Sequence, residues 1–233
     1  MLSANCKAVL WTIVLSTAVA GQTVSPVISE YSVKARGAFS VTNSSLFPLN
    51  VVLSAESFTV DSKGDPKYRD LDADIHLRLS RTSFRLAPNQ TYTVSYTATA
   101  EHLPAWFSVY SSCTDASGKS DVKLVTQLPH TIYLLPKEAV RKDLIRVSRA
   151  ELVAPGKVKL EINNEADQWV RIKQIEISSA TGKKVTSPGF PLFPQQARQA
   201  ELDWTDQDMF PQRVVLDFGK FKIDAQIDST KSK

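Results

Sequence analysis

From Val24 onward apolar residues recur at every second position, and a helical period is hard to find. Side chains two apart point to the same face of a pleated strand, so this period predicts half-buried strands. Asn, Asp, Pro and Gly clusters punctuate the pattern and set the turns between them. Many short strands without interleaved helices fold as one sheet packed on another, a β-sandwich. In the first half the pattern predicts a strand over Val24 to Val33 and alternation from Ala38 to Thr42, ending in the turn formers Asn43 to Pro48. Further strands are predicted over Asn50 to Val60, Ile75 to Leu79, Tyr92 to Thr97 and Trp106 to Tyr110, with a loop at Asp61 to Pro66. Ser111 to Gly118 reads as turn-like. In the second half strands are predicted over Leu144 to Val153, Val158 to Asn163, Trp169 to Ile177, Gln196 to Trp204, Arg213 to Phe218 and Phe221 to Ile227. Phe190 to Pro194 is an extended segment, since proline lacks a donor and keeps the preceding residue out of the helical region. Asp228 to Lys233 reads as a charged, frayed tail.

One stretch stands between the two halves. Val122 to Pro136 alternates and runs straight into the charged residues Lys137 to Asp143, so it reads as the last strand of a first domain entering a linker. Val122, Leu124, Thr126 and Leu128 share one face, and Lys123, Val125 and Gln127 share the other. A strand with one mostly apolar face can add itself to another protein's sheet, main chain to main chain. The same pattern also suits an ordinary covered core strand. The boundaries that follow are 21–136 for a first domain, 137–142 for a linker and 143–233 for a second domain.

The beginning of the chain has a different composition. One lysine, the apolar run Ala8 to Val19 and Ala18-Val-Ala20 before Gly21 predict a cleavable signal peptide over residues 1–20. The run is too short to span a bilayer, which takes about 20 residues. The expected location is therefore extracytoplasmic, with no membrane span. Cys6 would leave with the signal, so Cys113 remains as a lone thiol, read as a small apolar side chain. The formal net charge of +4 is spread among mixed signs, without the basic arm or aromatic-basic repeat of a nucleic-acid binder.

Signals for chemistry are sparse. His76, His102 and His130 are far apart and lack metal-ligand spacing, so each reads as a surface or strand histidine. Asp70, Asp72 and Asp74 alternate, but the glycine and closing glutamate of a calcium loop are missing, which leaves a solvated loop. No nucleophile elbow, phosphate loop or C-x-x-C occurs. No cofactor is expected and the chain does not read as an enzyme. Asn43 and Asn89 begin N-x-S/T triplets, which would matter in a glycosylated ectodomain.

Five segments together resemble the periplasmic pilus-assembly chaperone family, PapD-like proteins. They are Phe39 to Ser45, a strand ending in asparagine; Phe84 to Gln90, like the family's R-L-x-P-G turn; Leu103 to Val109, leading into its sixth strand; Thr131 to Pro136, like its strand end before the linker; and Gly156 to Asn164, like its G-x-x-x-x-x-N-P turn. The resemblance implies an all-β fold of two immunoglobulin-like β-sandwich domains in an L-shaped arrangement. It implies a periplasmic chaperone that lends Val122, Leu124, Thr126 and Leu128 to a pilus or other secreted β-sandwich subunit lacking a strand. Self-capping by dimerisation through the same strand is an alternative. The family holds the subunit's terminal carboxylate with a lysine and an arginine; here the lysine position falls on Thr131, and no arginine stands near Ser29 or Glu30. A secreted two-domain sandwich that binds a surface polymer or protein through loops is the competing reading.

Overall fold

The computed structural model describes residues 21–116, 124–138, 140–205 and 210–228. The predicted signal segment and Val122 lie outside these residues. In the first half the strands are β1 (Gln22–Ser25), β2 (Ile28–Ser32), β3 (Lys34–Asn43), β4 (Leu49–Val60), β5 (Pro66–Asp70), β6 (Ile75–Leu79), β7 (Ser83–Leu86), β8 (Thr91–Ala100), β9 (Ala105–Asp115) and β10 (Val125–Leu135). In the second half they are β11 (Ile145–Ala154), β12 (Lys157–Asn164), β13 (Val170–Arg171), β14 (Gln174–Ser179), β15 (Lys184–Pro188), β16 (Pro191–Leu192), β17 (Gln196–Asp203), β18 (Pro211–Asp217) and β19 (Lys222–Gln226). The only helical element among the described residues is one 3-10 turn, Lys142–Leu144. No helix of the described residues is long and apolar enough to cross a membrane.

Two sandwiches result, as the alternation requires. In the first, a sheet ordered β1-β3-β8-β6 faces one ordered β2-β10-β9-β4-β5, with β7 also on β4. Phe39, Val41, Val94, Phe107, Val109, Ile132 and Leu134 fill the space between them, each at most 1% exposed. In the second, β11-β12-β17 faces β15-β14-β18-β19, and Leu160, Ile162, Ile175, Ile177, Val214 and Leu216 form its core. Burying each such side chain contributes about 1.5–3 kcal/mol. Each sandwich also has a buried asparagine at a strand end. Asn43 Nδ2 donates to the Phe47 and Ala87 carbonyls, while its Oδ1 accepts the Ser45 N–H. Asn164 Nδ2 donates to the carbonyls of Gln168, Leu192 and Phe193, while its Oδ1 accepts the Ala166 N–H. The buried, fully engaged Asn43 amide closes that position to glycosylation.

Several expectations need correction. The segment Val24 to Val33 is two strands, because the chain leaves the first sheet after Ser25 and joins the other at Ile28. Ser111 to Asp115 is not a turn; it continues β9, which places Cys113 in the core at 2% exposure. The predicted strand over Trp169 to Ile177 is broken at residues 172–173, where Ile172 turns its main chain to Phe190 and Lys173 bonds Asp217. Asp228 does not fray: its main chain bridges to Ala150 and Leu152 of β11.

The two sandwiches meet through an aromatic cluster and a turn. Phe58, Tyr133, Trp169 and Phe193 pack together, joined by Trp106, whose Nε1 donates to the Phe58 carbonyl at 2.6 Å. Beside this cluster the Asp61 to Asp65 turn of the first sandwich touches the edge strand β17 of the second. The Gln199 N–H donates to the Ser62 carbonyl at 2.7 Å, and Arg198 reaches the same oxygen. Asp61 shapes the turn by accepting the N–H groups of Asp65, Lys63 and Gly64, and those bonds lower its pKa. Gly64, at φ +94°, leaves the space that the Arg198 guanidinium occupies.

Candidate functional site: the free end of β10

β10 begins outside the sandwich and ends inside it. Along its inner face Leu134, Ile132 and His130 are 0% exposed, Leu128 is half-buried against the core, Thr126 is exposed and Leu124, just before the strand, is 77% exposed. Of the face predicted from the sequence, Leu124 and Thr126 are exposed and Leu128 is half-buried, while the buried continuation of the same face runs on through His130, Ile132 and Leu134. On the outer face Val125 is 56% exposed and Gln127 is exposed, with Gln127 Nε2 on the Ser112 hydroxyl.

The pairing is equally lopsided. On one side β9 runs antiparallel to β10 from Val125 to Leu134. On the other, β2 pairs in parallel only with Thr131 to Leu135. The Thr131 N–H donates to the Val27 carbonyl, and beyond that point the chain of the first strand leaves through Pro26. By the alternation of main-chain groups, Val125, Gln127 and Pro129 direct theirs to the same side as Thr131, where no described strand pairs with them. Pro129 has no N–H, so no donor is left unpaired where β2 departs. Among the described residues no strand takes up the donors and acceptors of Val125 and Gln127 on that side.

A buried polar chain holds β10 at this transition. His130 is 0% exposed, stacks on Phe39 and meets the Pro26 carbonyl with Nδ1 at 2.7 Å. A carbonyl only accepts, so Nδ1 carries the proton; Nε2 of the neutral ring then accepts from the Tyr96 hydroxyl at 3.0 Å, and Tyr31 donates to Tyr96. Burial pushes the His130 pKa below its ordinary 6.5, against the opposing effect of the Pro26 carbonyl. A folded pKa below the unfolded value means that the unfolded chain binds more protons in between. Stability from this group is thus complete above about pH 6.5 and declines as the pH falls below it, by at most about 1.4 kcal/mol per unit. Melting curves between pH 7.5 and 5 should show that decline, and His130→Phe should flatten it; an unchanged slope would refute the assignment.

Thr131, the last predicted site residue, is half-buried with its hydroxyl on Ser108 at 2.9 Å. On the same face, two positions on, the buried Tyr133 packs against Trp169 and Arg171, which line a cleft between the sandwiches. That cleft is a cavity of about 530 Å³ lined by Glu30, Trp169, Arg171, Lys173, Lys137 and Lys220, among others. Arg171 was not singled out from the sequence, since only folding brings it to Glu30, with Nε 2.7 Å from Oε1. Its guanidinium lies over the Trp169 and Tyr133 rings at 5.1 and 5.7 Å. Its Nη2 and the Trp169 Nε1 are buried donors without an acceptor. Burial raises the Tyr133 pKa, with Arg171 opposing.

The other sequence candidates do not join this site. His76 and His102 are exposed beside Glu101 and Asp74, Asp72 is paired with Arg69, and Cys113 is buried in the core with its pKa raised by burial. No group of three His, Cys, Asp or Glu residues among the described ones is placed to hold a metal.

No family profile matches this sequence, and no curated protein matches it. Solved structures do match. The class 5 fimbriae chaperone CfaA is 13% identical over 89% of this chain and 99% of its own, with a TM-score of 0.53. A chain of the SafA pilin–SafB chaperone complex from Salmonella enterica is 15% identical over 91% of this chain and 98% of its own, with a TM-score of 0.54. A chain of a chaperone–tip adhesin complex of CFA/I fimbriae biogenesis is 12% identical over 89% and 99%, with a TM-score of 0.52. The two-sandwich fold of this chain is thus the fold of structures described as fimbrial chaperones.

Proposed function

We propose that this protein is a chaperone of the fimbrial type, which stabilises secreted β-sandwich subunits by lending them the free end of β10. The observation that carries the reading is the gradient along one face of a single strand, from Leu134 at 0% exposure to Leu124 at 77%, on an edge that β2 leaves open. A subunit that lacks a strand has an apolar groove and unpaired edges. Leu124, Thr126 and Leu128, continued by Val122, would fill the groove while Val125 and Gln127 satisfy the edge. The chemistry requires no cofactor and no covalent step.

The cleft supports an extension of the same reading. Arg171 lines the cleft beside Glu30, and its guanidinium would hold a subunit's terminal carboxylate in a charge-assisted bond. Arg171 would then take the place of the lysine that Thr131 replaces. The domain limits 21–136 and 143–233, and an extracytoplasmic location reached by a cleaved signal, complete the proposal.

Co-purification tests it. The tagged mature protein, recovered from the native extracytoplasmic fraction, should carry a small β-sandwich subunit identifiable by mass spectrometry. Recovery of polysaccharide alone, or of this chain alone, would overturn the chaperone reading and leave the fold without that function.

A further inference from the structure

The outer face of the β1-β3-β8-β6 sheet is turned away from everything described above. On β8 the exposed positions are Thr91, Thr93, Ser95, Thr97 and Thr99, an unbroken ladder of hydroxyls. Ser40 and Thr42 of β3 extend it sideways, bonded to Thr93 and Thr91 at 2.9 Å each. At one end the ladder runs between cations: Arg36 and Arg78 both stand opposite Thr97, and Lys34 stands opposite Thr99. Arg36 and Arg78 are two strands apart, about 10 Å between main chains.

No outward position of these four strands carries a carboxylate. Glu101 and Asp74 lie just past the ends of β8 and β6, where they face His76 at 3.5 Å and His102 at 3.6 Å. No ion pair among the described residues engages Lys34, Arg36 or Arg78. Arg36, Arg78, Ser80, Ser95 and Thr97 together line a shallow depression of about 560 Å³.

From this face we infer a binding site for an anionic polysaccharide, with the acidic groups of an extended glycan on Arg36, Arg78 and Lys34 and its hydroxyls along the threonine ladder. Guanidinium forks match carboxylates in geometry and charge. A protein partner would need the aromatic or aliphatic anchors on which protein interfaces depend, and apart from the His76 imidazole, held by Glu101, the face has none larger than Ala38. A bilayer would likewise find no apolar side chain to take up. Hydroxyls and unpaired cations complement a ligand made of hydroxyls and anions. The site is separate from the free end of β10 and does not depend on it.

The test uses the full mature chain, with polygalacturonate as probe, neutral dextran as control and phosphatidylglycerol vesicles as the rival surface. Polygalacturonate should bind, more weakly as salt is raised, while dextran does not. The double substitution R36Q/R78Q should lower that affinity about tenfold or more with the melting temperature unchanged, since both side chains are exposed, and should leave subunit capture intact. Failure to bind polygalacturonate, equal binding by the double variant, or binding to the vesicles alone would each overturn the assignment.

Discussion

Leu124→Asp should abolish capture of a subunit while the melting temperature stays within about 2 °C of the parent, as for other substitutions away from the core. Leu124 is 77% exposed and contacts no core residue, so the free protein has nothing to lose there. In the proposed complex the same side chain is buried in the partner's groove. Losing it forfeits about 1.5–3 kcal/mol, and the new carboxylate adds the cost of a charge buried without a partner. Together these predict at least about a hundredfold weaker capture, since 1.4 kcal/mol is tenfold. The contrast lies on the same face of the same strand: Ile132→Ala, at 0% exposure, should cost about 2–5 kcal/mol of stability. Unfolding of the Leu124 variant, or undiminished capture by it, would remove the strand-lending mechanism.

Asn164→Ala should destabilise the second sandwich by roughly 3–5 kcal/mol, among the largest effects of any single change, because it breaks a buried hydrogen-bond network. The side chain is 1% exposed and joins the carbonyls of Gln168, Leu192 and Phe193 to the N–H of Ala166. Alanine would leave these groups buried without partners. Asn164→Asp should be worse, since a carboxylate presents acceptors to three carbonyls. Asn43→Ala should act in the same way on the first sandwich, so differential unfolding monitored in each half distinguishes the two. A loss under about 1 kcal/mol for either alanine would show that the network is dispensable.

The fold was legible in this sequence because its signal is local. Period two over Val158 to Asn163 or Tyr92 to Thr97 is enough to state strand and buried face, and β12 and β8 follow it. The misreadings occur where tertiary partners override that signal. Pro26 sits inside an alternating run, and only the two-sheet arrangement explains why the chain changes sheets there. Ser111, Cys113 and Asp115 look like turn residues, yet β4 and β10 flank the first two on both sides, and Asp115 still pairs with β4. The shared face of Leu124, Thr126 and Leu128 was readable from the sequence, but its gradient of exposure was not, since that depends on where β2 departs. Arg171 was invisible for a simpler reason: it lies 141 residues from Glu30 along the chain. The asparagine hubs occupy segments that sequence reasoning had marked, although the carbonyls of Ala87, Leu192 and Phe193 that they gather lie far along the chain.

β10 also has a mechanical direction. Ten residue pairs hold it to β9, from Val125↔Thr114 to Leu134↔Ala105, and its far end adjoins the aromatic cluster between the sandwiches. A pull on the free end along the strand loads all of those pairs in shear at once, whereas a guest strand peeled sideways from Val125 and Gln127 gives up its bonds one at a time. A departing subunit would therefore unzip from its lender long before the lender tears.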